Sequence, residues 1–165
     1  MKERICLNCF QKAKQRNKGE CPSCGVPCYL YDSPKGGAYF RPNKDIEAVT
    51  SLTKTLDAFI SKRDKVVVNT CNIPAERNGA MVFLDTCRQF LKENKSSIDL
   101  YDFANEVLRV VLADPYWMPK IESFHMIKSQ IRRYSKQIYI AKKERIQEIN
   151  AWRSAVEPTY GDIVL

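Results

Sequence analysis

The chain has 165 residues, 44% of them hydrophobic, and a formal net charge of +8. That length suits one ordinary domain, or a small metal-stabilised module followed by a helical domain of roughly 100 residues. No run of about 18 apolar residues is present and the N-terminus lacks an apolar leader, which excludes a membrane span and leads us to expect a cytoplasmic protein.

Five of the seven cysteines lie between positions 6 and 28. In a reducing compartment, thiols at such density favour a metal site over disulfides. Cys6-x2-Cys9 and Cys21-x2-Cys24 are two Cys-x2-Cys pairs whose separation suits tetrahedral coordination by four thiolates, so Cys6, Cys9, Cys21 and Cys24 are expected to hold one structural Zn2+. Pro22 fixes φ just after the first ligand of the second pair. Gly25 permits a positive φ just after the second ligand. Four thiolates leave no open coordination position, so the metal is expected to replace a core that forty residues cannot build rather than to act as a Lewis acid. An iron site of rubredoxin type has the same donor set, but nothing else in the chain points to electron transfer. Cys28 is a fifth thiol. We read it as a small buried hydrophobe opening a strand; the competing reading has it replacing Cys24 as a ligand.

On the strength of Cys6-Leu-Asn-Cys9 and Cys21-Pro-Ser-Cys24-Gly25, residues 1–42 resemble the zinc-ribbon family. That resemblance implies a β hairpin after the second pair. Cys28-Tyr-Leu-Tyr-Asp32 and Ala38-Tyr-Phe-Arg41 supply two short strands, with Ser33-Pro34-Lys35-Gly36-Gly37 as the turn between them. The link between the pairs reads as a loop. Lys12, Lys14, Arg16 and Lys18 lie in it with no acid before Glu20, which makes them candidate phosphate contacts.

Residues 43–165 are expected to form an α-helical domain. Asp45 is placed as the cap of a first helix whose core face is Ile46, Val49, Leu52, Leu56, Phe59 and Ile60. Val66-Val67-Val68 is a short β-prone run, and Ile73-Pro74 breaks the chain. Ala80, Phe83, Leu84, Cys87, Phe90 and Leu91 mark a second helix ending near Asn94. Ser97 or Asp99 caps a third, with Leu100, Phe103, Ala104, Val107, Leu108 and Val111 on its core face, and Asp114-Pro115 stops it. Pro119 then starts a long C-terminal helix running to about Val156. Phe124, Ile127, Ile131, Tyr134 and Ile138 form its early seam. Arg145 and Glu148 interrupt that seam later, so the end of the helix is expected to project, pair with another chain or bind a partner. Asp114-Pro115-Tyr116-Trp117 followed by Ile121-Glu122-Ser123-Phe124 is similar to a segment of phage replisome organisers and helicase loaders. That likeness implies a small replication accessory protein binding DNA and a helicase. On packing grounds alone, Tyr116 and Trp117 plug the gap between two helices.

Charge is unevenly placed. Residues 1–44 carry nine Lys/Arg against three acids, residues 45–119 nine against eleven, and residues 120–165 nine against five. Two basic ends flanking a slightly acidic middle point to a polyanion, and nucleic acid, DNA first, is the commonest one. On the last helix Arg132, Arg133, Lys136, Lys142 and Lys143 are candidate phosphate contacts, with Lys128 beside them and Tyr139 on the flank as a stacking surface. The expected function is therefore a nucleic-acid-binding zinc-ribbon accessory or regulatory protein of phage or mobile-element origin, acting in DNA replication or transcription. The alternative is a protein-interaction module that redirects a host or cellular machine. No enzyme is expected. His125 is the sole histidine, Cys71 and Cys87 are lone thiols, Asp99, Asp102 and Glu106 share one helix, and no Gly-x4-Gly-Lys-Ser/Thr loop is present.

Overall fold

A computed structural model describes residues 2–14, 19–127 and 130–161. Strands β1 (Glu3–Cys6), β2 (Lys12–Lys14), β3 (Cys28–Asp32) and β4 (Ala38–Pro42) are followed by helices α1 (Lys44–Asp64), α2 (Pro74–Glu93), α3 (Leu100–Ala113), α4 (Phe124–Ile127) and α5 (Ile131–Gly161). The chain divides into two compact units, Met1–Met81 and Val82–Leu165. A small β-sheet carrying the cysteine cluster is thus followed by helices, the last of them long. Among the described residues no helix is long and apolar enough to cross a membrane.

The first unit opens with a four-stranded sheet in the order β2-β1-β4-β3. The expected hairpin is β3–β4, antiparallel with Leu30 opposite Phe40. Its turn is closed by Ser33 N–H on Gly37 O and Gly36 N–H on Ser33 O. Gly37 sits at φ +119°, where an added Cβ would be strained and would meet the Tyr39 hydroxyl at 2.6 Å and its ring at 2.8 Å, so a larger residue would have to displace Tyr39. A second hairpin, β1–β2, pairs Glu3 with Lys14 and Ile5 with Lys12. It replaces the loop expected around Lys12 and Lys14. β1 then joins β4 in parallel, Cys6 beside Phe40. The packed centre of this sheet is Cys6, Cys21, Cys28 and Phe40, with Cys9, Ala13 and Val26 against it. Three of its four buried members are thiols, so sulfur fills the place that larger domains give to carbon.

Arg41 and Asp45 join the sheet to α1. Their side chains are almost wholly buried and meet at 3.0 Å, and the guanidinium also lies 4.3 Å from the Tyr31 ring centroid. Asp45 is therefore not the cap. The N-cap residue is Asn43, which makes no side-chain cap bond, and Asp45 sits in the first turn, where a carboxylate favours the positive end of the helix. The core face of α1 is Val49, Leu52, Leu56 and Ile60 together with Thr53 and Asp57, while Ile46 is exposed and Phe59 half-buried. The polar members are satisfied. Thr53 Oγ1 donates to the Val49 carbonyl at 2.7 Å, and Asp57 accepts from Thr70 N–H at 2.7 Å and Thr70 Oγ1 at 2.6 Å. Those bonds tie Thr70 to α1, Val68 N–H donates to Ser61 Oγ at 3.0 Å, and residues 66–70 form an irregular connection instead of a strand, with Val67 fully in solvent. Pro74 starts α2, because its missing N–H costs nothing at a first helical position.

The second unit packs carbon on carbon. Phe83 meets Phe124 at 5.3 Å, Phe90 stacks on Phe103 at 5.9 Å, and Tyr139 reaches Phe90 edge-on at 5.8 Å. Val107, Leu108, Val111, Ile121, Ile127 and Ile131 are fully buried among them. Asp99 caps α3 by accepting from Tyr101 N–H and Asp102 N–H, each at 3.0 Å. After α3 the chain does not enter a helix at Pro119. A turn anchored on Asp114 runs to Ile121, and helix resumes at Phe124. Within that turn Tyr116 is 62% exposed, so it does not plug a gap, and Trp117 is half-buried.

Candidate metal centre

Cys6 ends β1 and Cys21 follows the Glu20–Pro27 bridge. Each begins a tight turn of the same design. In the first, Asn8 N–H points at Cys6 Sγ (3.3 Å), Phe10 N–H donates to Cys6 O (2.8 Å), and Cys6 N–H donates to Gln11 O (3.0 Å). In the second, Ser23 N–H points at Cys21 Sγ (3.4 Å), Gly25 N–H donates to Cys21 O (2.9 Å), and Cys21 N–H donates to Val26 O (3.0 Å). The residue after the second thiol has positive φ in both, +61° at Phe10 and +74° at Gly25. The first cysteine of each pair is buried, whereas Cys9 is half-buried and Cys24 exposed.

The four sulfurs of Cys6, Cys9, Cys21 and Cys24 all lie within 4.8 Å of one another. Across the pairs, Cys6 faces Cys24 and Cys9 faces Cys21, each at 3.9 Å. A tetrahedral site with metal–sulfur bonds of about 2.3 Å has sulfur–sulfur edges of about 3.8 Å. The cluster therefore fits a single ion held by four thiolates, and the amides aimed at the sulfurs favour their charged form. Burial pushes Cys6 and Cys9 above the ordinary thiol range. Burial also works against ionisation of Cys24, but the Asn8 side chain, the Val26 N–H and the neighbouring Cys21 and Cys9 outweigh it and draw Cys24 down to about 7. An unmetallated cluster of this kind holds several thiols in apolar surroundings close together, and a divalent ion relieves that arrangement by replacing their protons.

Cys28 lies outside the four. It is buried on β3 beside Cys6 and Cys21 as a packing residue, and its thiol is pushed up by burial and by the nearby thiols and Glu20. Cys24, not Cys28, completes the cluster.

The basic candidates are placed unevenly. Lys12 and Lys14 are exposed at the two ends of edge strand β2, one residue apart and so on one face of it. Arg16, Lys18 and Lys128 lie outside the described residues. On α5, Arg132 pairs with Glu93 at 3.4 Å and Lys142 with Glu106 at 2.8 Å. Arg133, Lys136 and Lys143 are exposed. Tyr139 packs on Phe90. Of the residues weighed for catalysis, Cys87 is fully buried with its thiol pushed up to about 12, and His125 is exposed on α4. Asp99 caps a helix and Glu106 is paired. Phe10 carries no local signal for its positive φ, which becomes legible only when Cys6–Phe10 is aligned with Cys21–Gly25.

No family model, curated protein or solved structure matches the chain.

Proposed function

We propose that the cluster binds Zn2+ as a ribbon-type clip, and that the chain is a small nucleic-acid-binding accessory or regulatory protein, acting on DNA in replication or transcription and of phage or mobile-element origin. One observation carries the nucleic-acid part. Lys12 and Lys14 stand exposed on the edge strand that follows the first Cys-x2-Cys turn, a strand braced by that clip. Cations presented on a rigid strand lose little freedom on meeting phosphates. Arg133, Lys136 and Lys143 add a second exposed cationic surface on α5, whereas Arg132 and Lys142 already have carboxylate partners. Four thiolates without an open position favour a structural ion over a catalytic one.

The test is binding of labelled duplex and single-stranded DNA across a salt series, with metal content measured in the same samples. Affinity should fall steeply as salt rises. The double reversal of Lys12 and Lys14 to Glu should weaken binding at least about tenfold while one equivalent of zinc stays bound. Undiminished binding in that variant, or binding indifferent to salt, defeats the reading.

A second reading is favoured by the distal part of α5, where Ile146 (53%), Ile149 (45%) and Trp152 (65%) are exposed. A docking protein would use such a surface, would purify with a protein partner and would ignore oligonucleotides.

A further inference from the structure

The segment Asp114-Pro115-Tyr116-Trp117-Met118-Pro119-Lys120 joins α3 to α4. It is a tightly braced turn. The Asp114 carboxylate accepts the Tyr116 N–H at 2.8 Å through one oxygen and the Tyr134 hydroxyl at 2.6 Å through the other. The Asp114 carbonyl takes the N–H groups of Trp117 (3.1 Å) and Met118 (2.8 Å), and the Trp117 carbonyl takes those of Lys120 (2.8 Å) and Ile121 (3.0 Å). Ile121 is fully buried, and Pro115 and Pro119 remove two further torsions. The Tyr134 hydroxyl, then the Tyr116 N–H, with Arg133 nearby, hold Asp114 below the usual carboxylate range. The brace is therefore an ionised one at neutral pH.

This rigid turn presents large apolar side chains to water. Tyr116 is 62% exposed and Met118 44%. Lys120 Nζ lies 3.4 Å from the Tyr116 ring centroid, and the Trp117 ring meets Tyr116 edge-on at 5.2 Å. Lys120 and Arg133 are exposed. A turn whose only task was to connect two helices would gain by tucking Tyr116 inward, since aromatic burial is among the larger gains available to a side chain. Here the backbone is fixed and the ring is left out, with the Lys120 ammonium over one of its faces. With Lys120 over one face, the ring is still 62% exposed, and that open surface can stack on a base while the ammonium beside it supplies charge for a phosphate chain.

The geometry points to a platform for single-stranded nucleic acid, on which one unpaired base stacks against Tyr116 while Lys120 and Arg133 take the adjoining phosphates. The inference rests on the nucleic-acid reading above and narrows it. A duplex hides the faces of its bases within the stack, so only an unpaired base can use this ring. The Trp117 ring, in contact with Tyr116, is a built-in reporter.

The experiment uses the full chain with Trp152→Phe, which leaves Trp117 as the one tryptophan. Short oligo(dT), a duplex of equal length and heparin are titrated in turn, following Trp117 fluorescence and ligand anisotropy. Oligo(dT) should quench Trp117 saturably. Tyr116→Ala should weaken oligo(dT) binding about tenfold, Tyr116→Phe should keep it within about twofold, and neither should change heparin binding, because heparin tests charge alone. Retention of oligo(dT) affinity in Tyr116→Ala overturns the platform, as does an equal loss for heparin. Binding of duplex without oligo(dT) by the parent also overturns the platform and leaves the broader reading standing. Binding of neither defeats both.

Discussion

The two Cys-x2-Cys turns make the same hydrogen bonds at the same offsets, yet one places glycine and the other phenylalanine at the positive-φ position. Gly25 adopts +74° freely, whereas a bulky L-residue in this region costs about 1–2 kcal/mol. Identical geometry on unequal residues means that the first turn is imposed from outside its local sequence. The sulfur cluster and the β1–β2 pairing dictate φ at Phe10, and the residue yields.

If the cluster holds zinc as proposed, removing the ion should disrupt both turns at once and have the largest effect. Structural zinc contributes about 10–16 kcal/mol of apparent folding free energy in small finger peptides. Chelation should unfold the sheet, expose the cluster thiols to a thiol reagent and leave most helical circular dichroism in place. A sheet that survives metal stripping with its thiols protected would refute the clip. Single ligand changes come next. Cys6→Ser and Cys21→Ser should each lose stoichiometric metal, the two turns suffering alike. Cys28→Ala should keep one equivalent and lose only packing, about 1 kcal/mol. Loss of metal in Cys28→Ala would move that thiol into the ligand set. Smaller still is the backbone contrast. Gly25→Ala meets no neighbour within 4 Å, so its cost is the conformational one, about 1–2 kcal/mol. Phe10→Gly should change stability by less than half that amount, because relief of the strained φ offsets the loss of a half-buried side chain. Denaturant midpoints of the metal-loaded proteins measure both. A larger loss for Phe10→Gly than for Gly25→Ala would mean that Phe10 is held for its side chain and that its φ costs little.

What was legible in the sequence was whatever is written in neighbouring residues. Cysteine spacing, Pro22 and Gly25 encode the second turn locally, and Asp99 and the apolar spacing of α3 encode that helix. β1 and β2 were not legible, because Glu3–Cys6 and Lys12–Lys14 are short and highly charged and hold together through a distant partner, β4, and through sulfur. Asp45 looked like a cap because capping residues and buried ion-pair partners share the same carboxylate, and only Arg41 distinguishes them. The placement of Tyr116 was unreadable for a similar reason. An aromatic pair before an apolar helix reads as core, and the Asp114 brace that turns Tyr116 outward depends on Tyr134, twenty residues on.

Along α5, Ile131, Tyr134, Ser135 and Ile138 reach the interior, but every side chain from Lys143 to Ala155 lies in solvent. An unsupported helix of that length is marginal in water. Lys142, tethered to Glu106, is then a thermodynamic shoreline. Amide protons before it should exchange only when the second unit opens, and those beyond it should exchange at rates set by fraying alone, recorded as a step in protection at that residue.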